Sequence, residues 1–476
     1  MRKKKHVLLI FALNPKKSFG TLFPLGLCYL GTALEKAGHS VEILDMNIYE
    51  NPYKVLMKRL QKQDYDCIGI SMRDFDFNPR HLIAYIPIRL NHKNSPIHAF
   101  IKTTKIISRY KEDKLLIAGG AGFSIMPKRI MEVSDVDVGV QGEGEEVIVE
   151  LMQNLKRPEN VKGIYVKKDG KILYTGVRPL IKPEKLNVIP KRDLPGIPKN
   201  LRIYGVGVQT MRGCPFKCLY CTYSLTQGRN IRLKKTETVL KELELLRYSY
   251  DVRDITFVDC IFAHPRKHAE AIINGMIKKK IDIKWKAEVR VDAFNEDFLA
   301  RMVKSGCYRL DFSPESGSNK ILKILQKEVT AKQIVNSFRM VKRHKELKTW
   351  YYMMLNAPGE TFSTAWESIK LVSKLYSMGL AKKGRALFSV MRIYPNTMLE
   401  RIALKKGIIT PKTDLLLPVF YNPYPISILN FLAIFVYNPI AFPDFAKFYF
   451  TKQKFKLTCH GSNELSHSYN GKLYER

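Results

Sequence analysis

The sequence has no P-loop pattern G-x4-G-K-[ST], no G-x-S-x-G elbow and no H-E-x-x-H motif. These absences remove the commonest signatures of nucleotide hydrolysis, serine hydrolysis and zinc proteolysis. A second C-x2-C motif is also missing. Of the eight cysteines in 476 residues, Cys28, Cys67, Cys260, Cys307 and Cys459 each stand alone. Such usage excludes a disulfide scaffold and fits a reduced, intracellular protein with a metal or redox site. No apolar run reaches a clean span of about 20 residues. The start, MRKKKHVLLIFALNP, is stopped by Asn14-Pro15 and reads as a buried first strand rather than a signal peptide. Pro425–Phe442 is interrupted by Asn430, Asn438 and Pro439, and reads as core or as a peripheral hydrophobic surface. Acidic residues are scarce, 44 against 80 Lys and Arg, for a formal charge of +36. The lysines are scattered along the whole chain, which favours solvated surfaces over a nucleic-acid, anionic-lipid or acidic-substrate patch.

What is present is a globular α/β pattern. Hydrophobic residues make up 45% of the chain, enough for large cores. Residues 1–158 alternate strand and helix: HVLLIFAL, SVEILDM, CIGISM, KLLIAGG and VDVGVQG as strands, with LGLCYLGTALEKAG and EGEEVIVELMQNL as amphipathic helices. Five strands of this kind predict a parallel, doubly wound sheet of flavodoxin-like size. Residues 159–203 hold a hairpin around Asp169-Gly170 and then a proline-rich linker. From 204 to 391 six strand–helix repeats predict a partial (β/α)6 barrel, with strands near 205–211, 254–258, 283–289, 308–313, 349–355 and 385–391. Residues 392–476 form a small, aromatic-rich C-terminal region, expected to cover the open end of the barrel or to pack as a plain helix.

The chemistry concentrates in RGCPFKCLYC, where Cys214, Cys218 and Cys221 follow the first barrel strand with C-x3-C-x2-C spacing. Zinc wants four ligands, and His264 is the candidate that would complete such a site. Three thiolates can instead hold three irons of a [4Fe–4S] cluster and leave the fourth iron open. Three unrelated buried thiols are the plain alternative.

This stretch resembles the signature of the radical S-adenosylmethionine (SAM) enzymes. The resemblance implies that the open iron binds SAM, and that an electron from the cluster releases a 5′-deoxyadenosyl radical. It places Tyr220, Asp259 in ITFVDCIF, and Ser313, Glu315 and Ser316 in LDFSPESGS near SAM, with MMLNAPGET passing the adenine. The front domain is similar to that of the cobalamin-dependent members, through PLGLCYLGTALEKAGHSVEILD, GISMRD, IAGGAGFSIMP and GVQGEGEE. That likeness assigns Ser71, Arg73, Gly119, Gly120, Gly122, Gly142 and Glu143 to cobalamin. The cobalt-ligating pattern Asp-x-His-x-x-Gly is absent, so no histidine from that motif reaches cobalt. Arg73 is expected below the corrin in its place, or else as a surface arginine paired with Asp74 or Asp76.

The implied activity is a cobalamin-dependent radical SAM methyltransferase acting on an unactivated carbon or phosphorus centre through methylcobalamin. A cyclase or rearrangement enzyme without methyl transfer is the alternative, and an RNA-modifying radical SAM enzyme a further one. The lack of a second cysteine cluster and of an RNA-binding appendage counts against RNA. The expected partners are a small-molecule or lipid-like substrate and an electron donor such as flavodoxin or ferredoxin. A cytoplasmic location follows, with peripheral membrane association as a variant of it.

Overall fold

The computed structural model describes residues 3–13, 21–73, 95–379, 386–416 and 418–429. The front of the chain runs β1 (His6–Phe11), β2 (Thr21–Leu22), β3 (Ser40–Asp45), β4 (Cys67–Ser71), β5 (Leu115–Gly119) and β6 (Val138–Val140). Setting β2 aside, these pair in parallel in the order β3-β1-β4-β5-β6. That is the second-first-third-fourth-fifth order of the flavodoxin-like sheet. Val7 to Ile10 are all buried, as expected of a strand covered on both faces. Helices 25–36, 52–62, 96–108 and 145–153 lie between the strands, each with one buried apolar face.

The hairpin expected at the head of the linker is present as β7 (Ile164–Lys168) and β8 (Lys171–Tyr174), turning at Asp169 and Gly170. Both turn residues have positive φ, 49° and 72°, which a two-residue turn of this hand requires. The hairpin is not free-standing. β7 pairs antiparallel with β6 and extends the front sheet.

The second sheet starts at β9 (Tyr204–Val208). A two-stranded ribbon follows, β10 (Met211–Arg212) with β11 (Arg232–Leu233), which closes the base of the cysteine loop. Then come β12 (Asp254–Phe257), β13 (Lys284–Val289), β14 (Cys307–Glu315), β15 (Lys348–Met354) and β16 (Ala386–Ser389). β9 and β12 to β16 form six consecutive parallel neighbours, the partial (β/α)6 barrel. One addition has no counterpart in the sequence pattern. β2, from the front of the chain, pairs in parallel with β9 and extends the barrel sheet. A last small pair joins β17 (Met391–Arg392) to β18 (Phe420–Tyr421).

The largest of three apolar cores among the described residues runs through both units, from Val7, Leu27 and Val147 in front to Val206, Ile255 and Trp285 in the barrel. The backbone N–H of Ile43 donates to Pro195 O at 2.7 Å, tying the linker to the front sheet. Among the described residues no helix is long and apolar enough to cross a membrane. Most of Pro425–Phe442 lies outside the described residues.

Candidate active site at the carboxyl ends of two sheets

Residues 213–222 leave β10 and return by helix 223–227 and β11, so the three cysteines sit on one loop. The loop begins at Gly213, whose φ is +90°. A Cβ there would stand 2.2 Å from Asn230 O, so only glycine fits this close crossing of the loop's two ends. The loop rests on 325–328: Leu219 N–H donates to Leu325 O at 3.3 Å, and Cys218 Sγ lies 3.9 Å from Gln326 O. Arg290 spans the same contact, with its guanidinium 3.8 Å from the Phe216 ring centre and Nη1 donating to Lys327 O at 2.8 Å.

All three thiols are free, and their surroundings differ. Cys214 is pulled down to about 6 by a hydrogen bond with Cys260, helped by the N–H of Phe216 and by Arg290 and Lys327. Burial pushes Cys218 up and Cys221 to about 12. Among the described residues no three His, Cys, Asp or Glu side chains stand close enough to hold a single metal ion. His264 packs against the Phe216 ring at 5.2 Å between centroids. Three unpaired thiols on one loop, flanked by two cations, suit an anionic cluster with three protein ligands.

The barrel end adds a second group. β14 shifts register against β15 between Phe312 and Glu315, and Ser313 lies within that irregularity. Such a bulge re-aims the side chains beyond it. Glu315 follows with φ of +66° and is 2% exposed. Its Oε1 accepts from Tyr220 OH at 2.7 Å and faces Lys327 Nζ at 3.4 Å. Its Oε2 is buried with no hydrogen-bond partner among the described residues. That orphan oxygen is an acceptor beside the cysteine loop, suited to an ammonium group of a ligand. Burial and the neighbouring Glu315 carboxylate raise the Tyr220 hydroxyl, so it stays a donor.

Two of the residues expected near SAM have their side-chain oxygens engaged by the scaffold. Asp259 Oδ1 accepts from the N–H groups of Thr210 and Met211 at 2.8 and 3.1 Å, and Oδ2 from Thr210 Oγ1 at 2.7 Å. It fastens the end of β9 to the start of the ribbon. Burial raises its carboxyl to about 6 against those hydrogen bonds. Ser316 is fully buried, shares a 3.0 Å hydrogen bond with Ser368, and accepts from Ser318 N–H at 3.1 Å. It fixes the turn after β14.

The turn after β15 has its own buried acid. Glu360 Oε2 accepts from Ala357 N–H at 2.9 Å, and burial raises its carboxyl to about 7. A folded-state pKa above the unfolded one means that the folded chain holds this proton more tightly. The stability it brings is complete below about pH 4.5 and is lost as pH rises through 7. The loss amounts to at most about 3 kcal/mol. Glu360→Gln is expected to flatten this dependence, and urea unfolding at pH 5 and pH 8 checks it. An equal pH dependence in both proteins would contradict the assignment.

In the front domain the strand ends interlock. Met72 N–H donates to Gly119 O at 2.8 Å and Gly122 N–H to Met72 O at 3.1 Å. Gly120 lies between them with φ of +103°, and a Cβ there would meet Met72 O at 2.5 Å and Ser71 Oγ at 2.8 Å. These contacts hold Ser71 at the end of β4, and Gly119, Gly120 and Gly122 at and after the end of β5, on the carboxyl edge next to the β1–β4 reversal where such sheets bind ligands. Arg73 is exposed just past this edge, and Asp74 and Asp76 lie outside the described residues. Gly142 N–H donates to Ser124 Oγ at 2.9 Å. The nearest atom to a Cβ built on Gly142 is Thr226 O, at 3.8 Å, five residues past Cys221. The glycine-edged crevice and the cysteine loop therefore adjoin.

Glu143, expected at the cobalamin, has both carboxylate oxygens occupied by the scaffold. Oε1 accepts from Arg212 Nη1 and Arg232 Nη1 at 3.1 and 2.9 Å, and Oε2 from Arg232 Nη1 and Ile181 N–H at 2.8 and 2.7 Å. Cys260 is the residue that sequence reasoning passed over. It stands alone in the chain, yet its Sγ lies 3.4 Å from Gly213 O and shares a hydrogen bond with Cys214. Lys327, lacking any motif, was missed as well. A separate cleft of about 470 Å³ opens between helices 25–36 and 145–153 and residues 178–188. It shares Glu145 and Arg212 with the ion pairs of the ribbon, but no cysteine or strand-end glycine lines it.

The described part of the C-terminal region does reach this end of the barrel. Leu399 N–H donates to Leu219 O in the cysteine loop at 2.9 Å. Asn356 Nδ2 donates to Asn422 Oδ1 and Pro423 O, both at 2.7 Å.

Comparison with known proteins agrees with this layout. Residues 208–372 match the radical SAM superfamily and residues 16–152 the B12 binding domain. An uncharacterized methyltransferase of Pyrococcus horikoshii is 29% identical over 398 residues, 81% of this chain and 79% of that protein. The cytidylyl-2-hydroxyethylphosphonate methyltransferase of Streptomyces wedmorensis is 26% identical over 349 residues, 64% of each chain. The radical SAM methyltransferase TsrM of Kitasatospora setae, solved with cobalamin and a [4Fe–4S] cluster, shares the fold. Its TM-score is 0.73 at 20% identity over 87% of this chain and 81% of that one.

Proposed function

The chain is a radical SAM enzyme with a B12-binding domain, and on that premise we propose that it is a methyltransferase acting on an unactivated carbon or phosphorus centre of a small molecule. The observation that carries this reading is the adjacency of the two sites: the Gly142 edge of the corrinoid crevice meets Thr226, just past the cysteine loop. When bound, the cluster supplies an electron to SAM and the corrinoid carries the methyl group. Cys214, Cys218 and Cys221 are the thiols that hold the cluster. Glu315 offers its unpartnered oxygen to the amino group of SAM, with Tyr220 and Lys327 fixing the carboxylate's orientation. Ser313, in the bulge of β14, lines the same end. Ser71 and the glycines at and after β5 would let a large planar ligand come close to the backbone, and Arg73 would offer it a cation that cannot ligate metal. The described C-terminal residues meet the barrel end at Leu219 and Asn356, where a cover would keep water from the reacting groups. An electron donor of the flavodoxin or ferredoxin type completes the system.

The test is a product count. Anaerobic, reduced protein loaded with both cofactors is expected to form S-adenosylhomocysteine and 5′-deoxyadenosine in equal amounts with a methylated acceptor. Formation of 5′-deoxyadenosine with no S-adenosylhomocysteine would overturn methyl transfer in favour of a cyclase or rearrangement. In the same samples, electron paramagnetic resonance of cobalt(II) is expected to lack axial nitrogen splitting. Such splitting would remove Arg73 from the lower face.

A further inference from the structure

Two arginines flank the cysteine loop at its base. Arg212 lies two residues before Cys214, and Arg232 faces it across the ribbon as its paired residue. Both are drawn onto the single carboxylate of Glu143, the residue after Gly142 at the crevice edge. Glu145 takes the other side of Arg212, and Arg232 also donates to Ile181 O and Gln227 O, each at 2.8 Å. The side chains of Glu143, Arg212 and Arg232 are 7%, 9% and 7% exposed. No water layer therefore softens the contact. The carboxylate is oriented by three different donors, from β10, β11 and the linker.

We propose that Glu143 is a positioning residue that sets the separation between the corrinoid crevice and the cluster loop. The proposal rests on the two-cofactor reading above. The reason is geometric. One side chain grips both ends of the cluster loop, while its own backbone continues from the crevice glycine, so a displacement of either site must stretch buried, charge-assisted hydrogen bonds. Small misplacements between reacting groups are costly, roughly 100-fold in rate for about 1 Å. A fixed bracket between two cofactors that would have to serve one bound substrate is therefore a functional constraint as well as a stabilising one.

The experiment measures distance rather than turnover. In the full chain loaded with cobalt(II) corrinoid and reduced cluster, both centres are paramagnetic, and pulsed electron paramagnetic resonance reads their separation and its spread. Glu143→Asp, which keeps the charge on a shorter arm, is expected to shift the mean separation. Glu143→Gln, which loses the charge, is expected to broaden the distribution. Glu242→Gln is the comparison, since Glu242 is a buried acid held by Arg192 and Lys234 and makes no ion pair with Arg212 or Arg232. It is expected to lower stability without moving the separation. Distributions for both Glu143 variants that match the unaltered protein would overturn the proposal, as would an equal change in Glu242→Gln. Spin-labelled unnatural amino acids at the exposed Lys128 and Lys267 repeat the measurement without cofactors. A chain that binds no corrinoid or no cluster thus refutes the two-cofactor reading, while the label distances still judge Glu143.

Discussion

Replacing Cys214, Cys218 and Cys221 together by alanine is expected to take the anaerobically reconstituted protein from about four irons per chain to none, and SAM cleavage with it. The three thiols share one short loop, and of the other described cysteines only Cys260 comes near them. Cys28, Cys67 and Cys307 are buried within the sheets and helices, so their alanine variants are expected to keep the iron. Cys459 lies outside the described residues and is expected to be dispensable on the same iron assay. Cys260 is the informative neighbour. It touches Cys214 but hangs from the end of β12, and Cys260→Ser is expected to retain the cluster. Iron and sulfide analysis with the visible absorbance of the cluster settles each case. A triple variant that kept its iron and still cleaved SAM would refute the assignment of the loop.

Gly120→Val is expected to abolish corrinoid binding while leaving the iron content intact. The backbone at Gly120 has φ of +103°, a conformation that β-branched residues scarcely adopt. Its Cβ would also stand 2.5 Å from Met72 O, and a backbone atom cannot rotate aside as a side chain can. Strain and clash together cost about 3 kcal/mol or more, enough to part the ends of β4 and β5 that edge the crevice. The cysteine loop is anchored on the barrel at Leu325 and closed on itself at Gly228, and neither contact involves the ends of β4 and β5. Gel filtration followed by corrin absorbance and iron analysis separates the two effects. Full corrinoid retention in the variant would show that the crevice is not where the ligand sits. Loss of iron together with corrinoid would show that the two sites do not fold separately.

The amino-acid sequence by itself determined the features whose physics is local. The cysteine spacing, the apolar runs of the parallel strands, the helical faces and the Asp169-Gly170 turn all depend on residues a few positions apart, and each is found where its pattern predicted. The alternation of strand and helix carried the two α/β units, because parallel neighbours need a crossover between them. Tertiary structure alone decided which polar side chains face a ligand and which hold the scaffold. Glu143 sits in a glycine-rich stretch that resembles a cofactor edge, but its arginine partners come from 69 and 89 residues away. Asp259 and Ser316 stand at strand ends where ligands bind, yet partners 48 to 52 residues distant satisfy them. Cys260 is a lone cysteine in the chain and the neighbour of Cys214 only in space. β2 is two residues long and has no periodicity to read; it exists because the edge of β9 offers it hydrogen bonds. Each of these assignments turns on a buried polar group finding a distant partner, and desolvation makes that choice only when the chain has closed around it.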